Sequence, residues 1–239
     1  MVISESFSPD ERIIVALDCD RARALELAQD LQGQATWLKV GMTLFYQEGP
    51  RIVEELKEKG FKVFLDLKFH DIPHQVAGAA RAAALSGADM MTMHAIGGRD
   101  MMKAAVEGVT SVCDGAAVPV TLGITVLTSM SQADLEASGV HVDVRDQVAS
   151  LAEQVKEAGL SGVVASPQEA AMLRGILGPE AYIVTPGVRP SGSSLDDQNR
   201  VATPKQAFEA GASHIVIGRP ITASDDPRAA FKDIVKGLL

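Results

Sequence analysis

Residues 62–94 read KVFLDLKFHDIPHQVAGAARAAALSGADMMTMH and hold one complete strand, helix, strand unit. The apolar run Lys62 to Lys68 predicts a strand, the Ala-rich run His74 to Ser86 a helix stopped at Gly87, and Met90 to His94 the next strand. Side chains two apart on a strand share a face, so Asp66 and Lys68 are expected to point one way and Leu65 and Leu67 the other. Asp71 falls just past the strand, where Ile72-Pro73 forces the backbone out of regular structure and into a loop. An ordinary ion pair at a strand end would explain two of these charges. Burying such a network seldom gains stability over apolar packing, however, so it calls for another purpose.

The same unit recurs in both directions. Arg12 to Asp18 predicts the first strand, with Asp20 as cap of a helix running to Leu31; Thr36 to Val40 predicts the second, followed by a helix over Gly49 to Lys59. Beyond His94 come a helix over Arg99 to Val112, a strand over Val118 to Val126, and helices over Gln132 to Ala137 and Val144 to Ala158. Weaker strands at Gly162 to Ala165 and Tyr182 to Thr185 flank a helix over Pro167 to Leu177. Pro204 to Ala210 (helix), His214 to Ile217 (strand) and a last helix from about Pro227 complete the alternation. Four helices end in glycine before an apolar strand, at Gly60, Gly87, Gly159 and Gly211, as left-handed helix closure requires. Eight strand and helix pairs in this length predict an α/β fold of (β/α)8 type, a TIM barrel of eight parallel strands inside outer helices. No linker divides the chain, so residues 1–239 are expected to form a single domain. Val188 to Ala202, rich in Gly, Ser and Asp, is expected to be a mobile loop after the seventh strand.

Composition narrows the function. A net charge of -9 argues against a nucleic-acid or anionic-membrane partner while leaving room for a small anion held locally by arginines and backbone amides. Cys19 and Cys113 lack metal-ligand spacing and disulfide density, and are expected to be small buried apolar residues in a reducing compartment. No run is apolar enough to span a bilayer and the N-terminus is polar and acidic, which fits a cytoplasmic protein.

In such a barrel the chemistry sits at the C-terminal ends of the strands. Asp18, Lys39, Asp66, Lys68 and His94 end strands one to four, and Thr128 follows strand five. The loops after strands seven and eight carry Arg189, Gln198, Gly218 and Arg219, where barrels often hold a substrate phosphate. In Gly218-Arg219-Pro220 the glycine admits close backbone approach, the arginine can fork onto a phosphate and the proline starts a helix. Lys39, Asp66, Lys68 and Asp71 would line the mouth with alternating signs. Carboxylates there disfavour a second anion, so a substrate charge that migrates or departs during reaction gains relative stabilisation. No cofactor fingerprint and no His and Cys metal cluster is present; a divalent ion on Asp18, Asp66 and Asp71 would compete with two lysines.

Asp66-Leu67-Lys68-Phe69-His70-Asp71-Ile72-Pro73 resembles the D-x-K-x-x-D-I-P signature of the orotidine 5'-phosphate decarboxylase family, in its bacterial type. The likeness extends through Val15 to Asp18, Leu38 to Gly41, Val126 to Ser129, Thr185 to Pro190, Asp197 to Arg200 and Val216 to Arg219. The resemblance implies conversion of orotidine 5'-phosphate to UMP and CO2 in pyrimidine biosynthesis, without cofactor or metal. It assigns Lys39, Asp66, Lys68 and Asp71 to a charged catalytic array, with Lys68 protonating C6 and Asp71 reaching the partner's site across a homodimer. Asp18 and Lys39 would hold the ribose hydroxyls, Thr128 the pyrimidine, and Arg189, Gly218, Arg219 and Gln198 the phosphate, Gln198 also touching the base. Gln75 departs from the family, which has threonine there. Two alternatives stay open: a metal-dependent sugar-phosphate lyase of a related barrel family, which shares an acid, lysine, acid strand, and a non-catalytic nucleotide-phosphate binder.

Overall fold

Each apolar run pairs in parallel with the next, and the last returns to the first. The computed structural model describes residues 7–115, 117–190 and 202–239. Strands β1 (Ile13–Leu17), β2 (Trp37–Gly41), β3 (Lys62–Phe69), β4 (Met90–His94), β5 (Val120–Ile124), β6 (Gly162–Val164), β7 (Tyr182–Thr185) and β8 (His214–Ile217) close in chain order into a barrel. The seam is β1 on β8, with Ile14 beside Val216. This is the (β/α)8 barrel expected from the sequence, and the strands weakest in sequence, β6 and β7, take their places in it with three and four residues.

The outer layer comprises α1 (Arg21–Leu31), α2 (Met42–Glu48), α3 (Arg51–Glu58), α4 (Pro73–Leu85), α5 (Arg99–Thr110), α6 (Gln132–Ala137), α7 (Val144–Ala158), α8 (Ala170–Leu177), α9 (Pro204–Glu209), α10 (Arg219–Thr222) and α11 (Pro227–Lys236). The Asp20 carboxylate accepts the Arg23 N–H and caps α1 as expected. The four helix-ending glycines all take positive φ, Gly159 in the left-handed well proper at φ 79°, ψ 22°. The sequence reading missed α2, because MTLFYQE has no side-chain N-cap and its glycine stop, Gly49 at φ 68°, reads instead as the start of the stronger α3 pattern.

Two apolar layers form along the strands. Ile14, Ala16, Trp37, Phe64, Met90, Leu122, Val184 and Val216 fill the barrel interior, while Val15, Leu38, Leu65, Met91 and their neighbours pack outward under the helices. Leu67 joins that outer layer, as its alternation with Asp66 requires. Cys19 and Cys113 are free but only half-buried, correcting the expectation of full burial: each sits at the edge of the outer layer. Among the described residues no helix is long and apolar enough to cross a membrane.

Candidate active site

Inward positions turn from apolar to polar as each strand nears its C-terminal end. On β1 the inward series is Ile14, Ala16 and then Asp18; on β2 Trp37, Lys39, Gly41; on β3 Phe64, Asp66; on β4 Met90, Thr92, His94. Register stacks them, since Ala16 pairs with Lys39, Lys39 with Phe64 and Gly41 with Asp66. Asp18, Lys39 and Asp66 thus crown the apolar plug of the barrel.

The charges form an alternating chain. Lys39 Nζ lies 3.0 Å from Asp18 Oδ1 and 3.7 Å from Asp66 Oδ2, and Lys68 Nζ lies 2.9 Å from the same Asp66 oxygen. Gly41 leaves the space in which the first pair meets, as a methyl there would come within 3.2 Å of Lys39 Nζ and 3.3 Å of Asp18 Oδ1. The side chain of Lys39 is 9% exposed and that of Asp66 15%, whereas Asp18 is 67% exposed and open to a ligand. Burial by itself would push the Asp66 carboxyl up, but Lys39, Lys68 and the Thr92 hydroxyl together outweigh it and hold the group below its ordinary value. Asp66 is therefore a carboxylate between two ammoniums.

Regular alternation fails within β3. Leu65 pairs with Met91 and Phe69 with Met93, so the strand bulges between them. Lys68 sits in the bulge at φ 56°, the only non-glycine residue with positive φ among the described residues. Its N–H donates to Thr92 Oγ1 at 3.0 Å, and the Thr92 hydroxyl donates to Asp66 Oδ1 at 2.9 Å.

Two cavities meet at Lys39. One, of about 360 Å³, is lined by Asp18, Lys39, Gly187, Arg189, Gly218 and Arg219. Arg189 Nε is buried there without a partner among the described residues. The other, of about 170 Å³, runs over Asp66 and Lys68 and is walled by Phe64, Ile124, Val126, Thr128, Val164 and Pro186. An anion fits the first and a flat, largely apolar ring the second, with Lys39 between them.

Comparison with known proteins agrees with this geometry. The Orotidine 5'-phosphate decarboxylase / HUMPS family model matches residues 11–234. The chain belongs to that family. It is 47% identical over 228 residues to the orotidine 5'-phosphate decarboxylase of Saccharophagus degradans, covering 95% of this chain and 94% of that one. It is 49% identical over 230 residues to that of Moorella thermoacetica, with 94% and 90% covered. The crystal structure of the Lactobacillus acidophilus orotidine 5'-phosphate decarboxylase superposes with a TM-score of 0.86 at 39% identity, covering 95% of this chain and 99% of that one.

Within this family member, the sequence-predicted residues Asp18, Lys39, Asp66, Lys68, Thr128, Arg189, Gly218 and Arg219 all line the joined cavities. Asp71 does not. It is exposed on the turn before α4, with its Oδ1 accepting the Ile72 N–H at 2.6 Å, so it takes no part in the Asp18 to Lys68 chain of its own subunit. Gln75 is exposed on the first turn of α4. Gln198 and most of the expected 188–202 loop lie outside the described residues. Sequence reasoning missed Thr92 and Gly41. A signal for Thr92 existed: in Met90-Met91-Thr92-Met93-His94 it is the polar residue on the inward face, two before His94.

Proposed function

We infer that this protein is a carboxy-lyase that converts orotidine 5'-phosphate to UMP and CO2, the step that completes UMP in pyrimidine biosynthesis. The observation that carries the reading is the Asp18, Lys39, Asp66, Lys68 chain beneath an arginine-lined cavity, in a chain nearly half identical to proteins named for that reaction.

The phosphate would sit against Arg189, Arg219 and the Gly218 backbone, with Gln198 as a further ligand of phosphate and base. The ribose hydroxyls would meet Asp18 and Lys39, and the pyrimidine would lie in the apolar cavity against Thr128. That places C6 and its carboxylate over Asp66 and Lys68. Breaking the C6–carboxylate bond leaves an electron pair on a carbon without an adjacent electron sink. Fixed positive charge from Lys68 stabilises that pair at no reorganisation cost, and the ammonium then delivers a proton to C6 and is recharged from water. Asp66, held ionised, also faces the departing carboxylate. The stabilised carbanion is the larger effect, because the array is preorganised by contacts that exist before substrate arrives. Remote phosphate contacts contribute binding energy that is realised at the reacting carbon.

The same reading makes the protein a cytoplasmic homodimer of single-domain subunits in which Asp71 serves the neighbour's site. Supporting it are the exposure of Asp71 away from its own array and the exposed apolar side chain that follows it in the chain, Ile72, at 63%. The deciding experiment follows ultraviolet loss of the orotate chromophore on mixing protein with orotidine 5'-phosphate, with and without chelator. Turnover that survives chelation is expected. Absence of turnover would overturn the assignment, and chelator-sensitive turnover would return the metal-dependent alternative.

A further inference from the structure

Thr92 stands alone where β3 and β4 fall out of register. Between the pairs Leu65 with Met91 and Phe69 with Met93, β3 places Asp66, Leu67 and Lys68 opposite this one residue. A bulge of that size takes backbone groups out of the ladder, and a buried N–H must then find another acceptor. For Lys68 that acceptor is Thr92 Oγ1 at 3.0 Å. An N–H can only donate, so the hydroxyl accepts there and its single hydrogen is left for Asp66 Oδ1 at 2.9 Å. Thr92 is 0% exposed, so water does not substitute for either bond.

The two bonds have a joint effect. With Oδ1 engaged by Thr92, the other carboxylate oxygen is left for both ammoniums, Lys68 at 2.9 Å and Lys39 at 3.7 Å. With its N–H engaged, Lys68 is kept at φ 56°, a conformation L-residues with long side chains avoid, and its side chain folds back over Asp66. We propose that Thr92 is a positioning residue of the reaction, its hydroxyl coupling the backbone of Lys68 to the carboxylate of Asp66 so that both keep one relative placement beneath C6. This rests on the reading of Lys68 as proton donor. A valine would fill the same volume and suit the strand, but would leave the Lys68 N–H unpaired and Asp66 free to turn.

The test uses the full-length protein. Thr92→Val is expected to lower kcat on the order of 100-fold, the scale of a small misplacement at a reacting centre, with KM moved by less than about threefold. Thr92→Ser, which keeps the hydroxyl, is expected within about fivefold of the parent kcat. Crystal structures of the parent and Thr92→Val should show Lys68 leaving the positive-φ region and its ammonium moving out of hydrogen-bond reach of Asp66. Thr92→Ala replaces Thr92→Val if the latter does not fold. A hydroxyl-free variant with parent kcat, a serine variant as impaired as the valine, or an unmoved Lys68 would overturn the proposal. If the parent itself does not turn over orotidine 5'-phosphate, the functional reading fails, and the crystal comparison still decides the coupling.

Discussion

Lys68 holds its ammonium 2.9 Å from Asp66 Oδ2 although its own backbone lies in the left-handed region, at φ 56°. On a regular strand two residues apart, the side chains would stand side by side; the bulge instead turns the lysine back toward the carboxylate. A disfavoured backbone held at the mouth of a cavity points to chemistry at that ammonium. Lys68→Ala is therefore expected to lower kcat by about 1,000-fold or more, losing both the local positive charge and the proton, while UMP binding changes by less than about tenfold. Steady-state kinetics and isothermal titration with UMP check the two halves separately. Decarboxylation by Lys68→Ala near the parent rate would remove this lysine from the mechanism.

The arginine-lined cavity has a different kinetic signature. Arg189 brings a buried Nε without a partner among the described residues, and Arg219 opens α10 beside Gly218. A charge-assisted hydrogen bond to phosphate is worth about 1.5–3 kcal/mol, so Arg219→Ala is expected to lower kcat/KM about 10- to 100-fold, chiefly through KM. Orotidine without its phosphate should be a poor substrate for parent and variant alike. If the variant and the parent differed as much on orotidine as on orotidine 5'-phosphate, the arginine would not be reading the phosphate.

Much of this was legible in the chain, and the reasons differ by residue. Gly60, Gly87, Gly159 and Gly211 announce helix ends through a property of the residue itself, so the alternation and the barrel follow from local signals. Asp18, Lys39 and Asp66 follow from period two once the barrel supplies a polar end. The left-handed Lys68 was not legible, because period two assumes a regular strand and DLK carries no glycine to mark a bulge. Thr92 escaped for the converse reason: threonine is an ordinary strand residue, and its purpose appears only when β4 lies beside the irregular part of β3. Asp71 lies off the array because Ile72-Pro73 turns the chain from β3 into α4, a local signal that the sequence carries.

The base of the barrel predicts a pH response of stability unrelated to catalysis. His214 is fully buried, stacked on Tyr182 at 5.5 Å and edge-on to Trp37 at 6.0 Å, with its Nδ1 3.1 Å from Ser213 Oγ and its Nε2 unpartnered among the described residues. Burial, helped by the cations Arg12 and Lys62, pushes it down from 6.5 to about 3. The unfolded chain takes up this proton as pH falls below 6.5, whereas the folded protein does not until about 3. Stability is thus fully present above 6.5 and is lost through that window at about 1.4 kcal/mol per pH unit. In His214→Phe, urea unfolding at pH 7 and pH 5 should show a smaller acid loss than in the parent. An identical loss would place the acid sensitivity elsewhere.

Asp71 supplies the test of assembly. It is exposed on the turn before α4, apart from the Asp18 to Lys68 array, and the proposed function has it serve a neighbour's site. Lys68→Ala and Asp71→Ala should each be strongly impaired alone. In a mixed dimer one site joins an intact Lys68 to the other subunit's intact Asp71, while the second site lacks both. Equal amounts, unfolded and refolded together, should recover about a quarter of the parent's specific activity, since half the dimers are mixed and each holds one complete site. Sedimentation of the refolded sample establishes whether dimers have formed. Dimers without recovered activity would mean that each subunit completes its own site, and that the exposed Asp71 must fold inward when substrate binds.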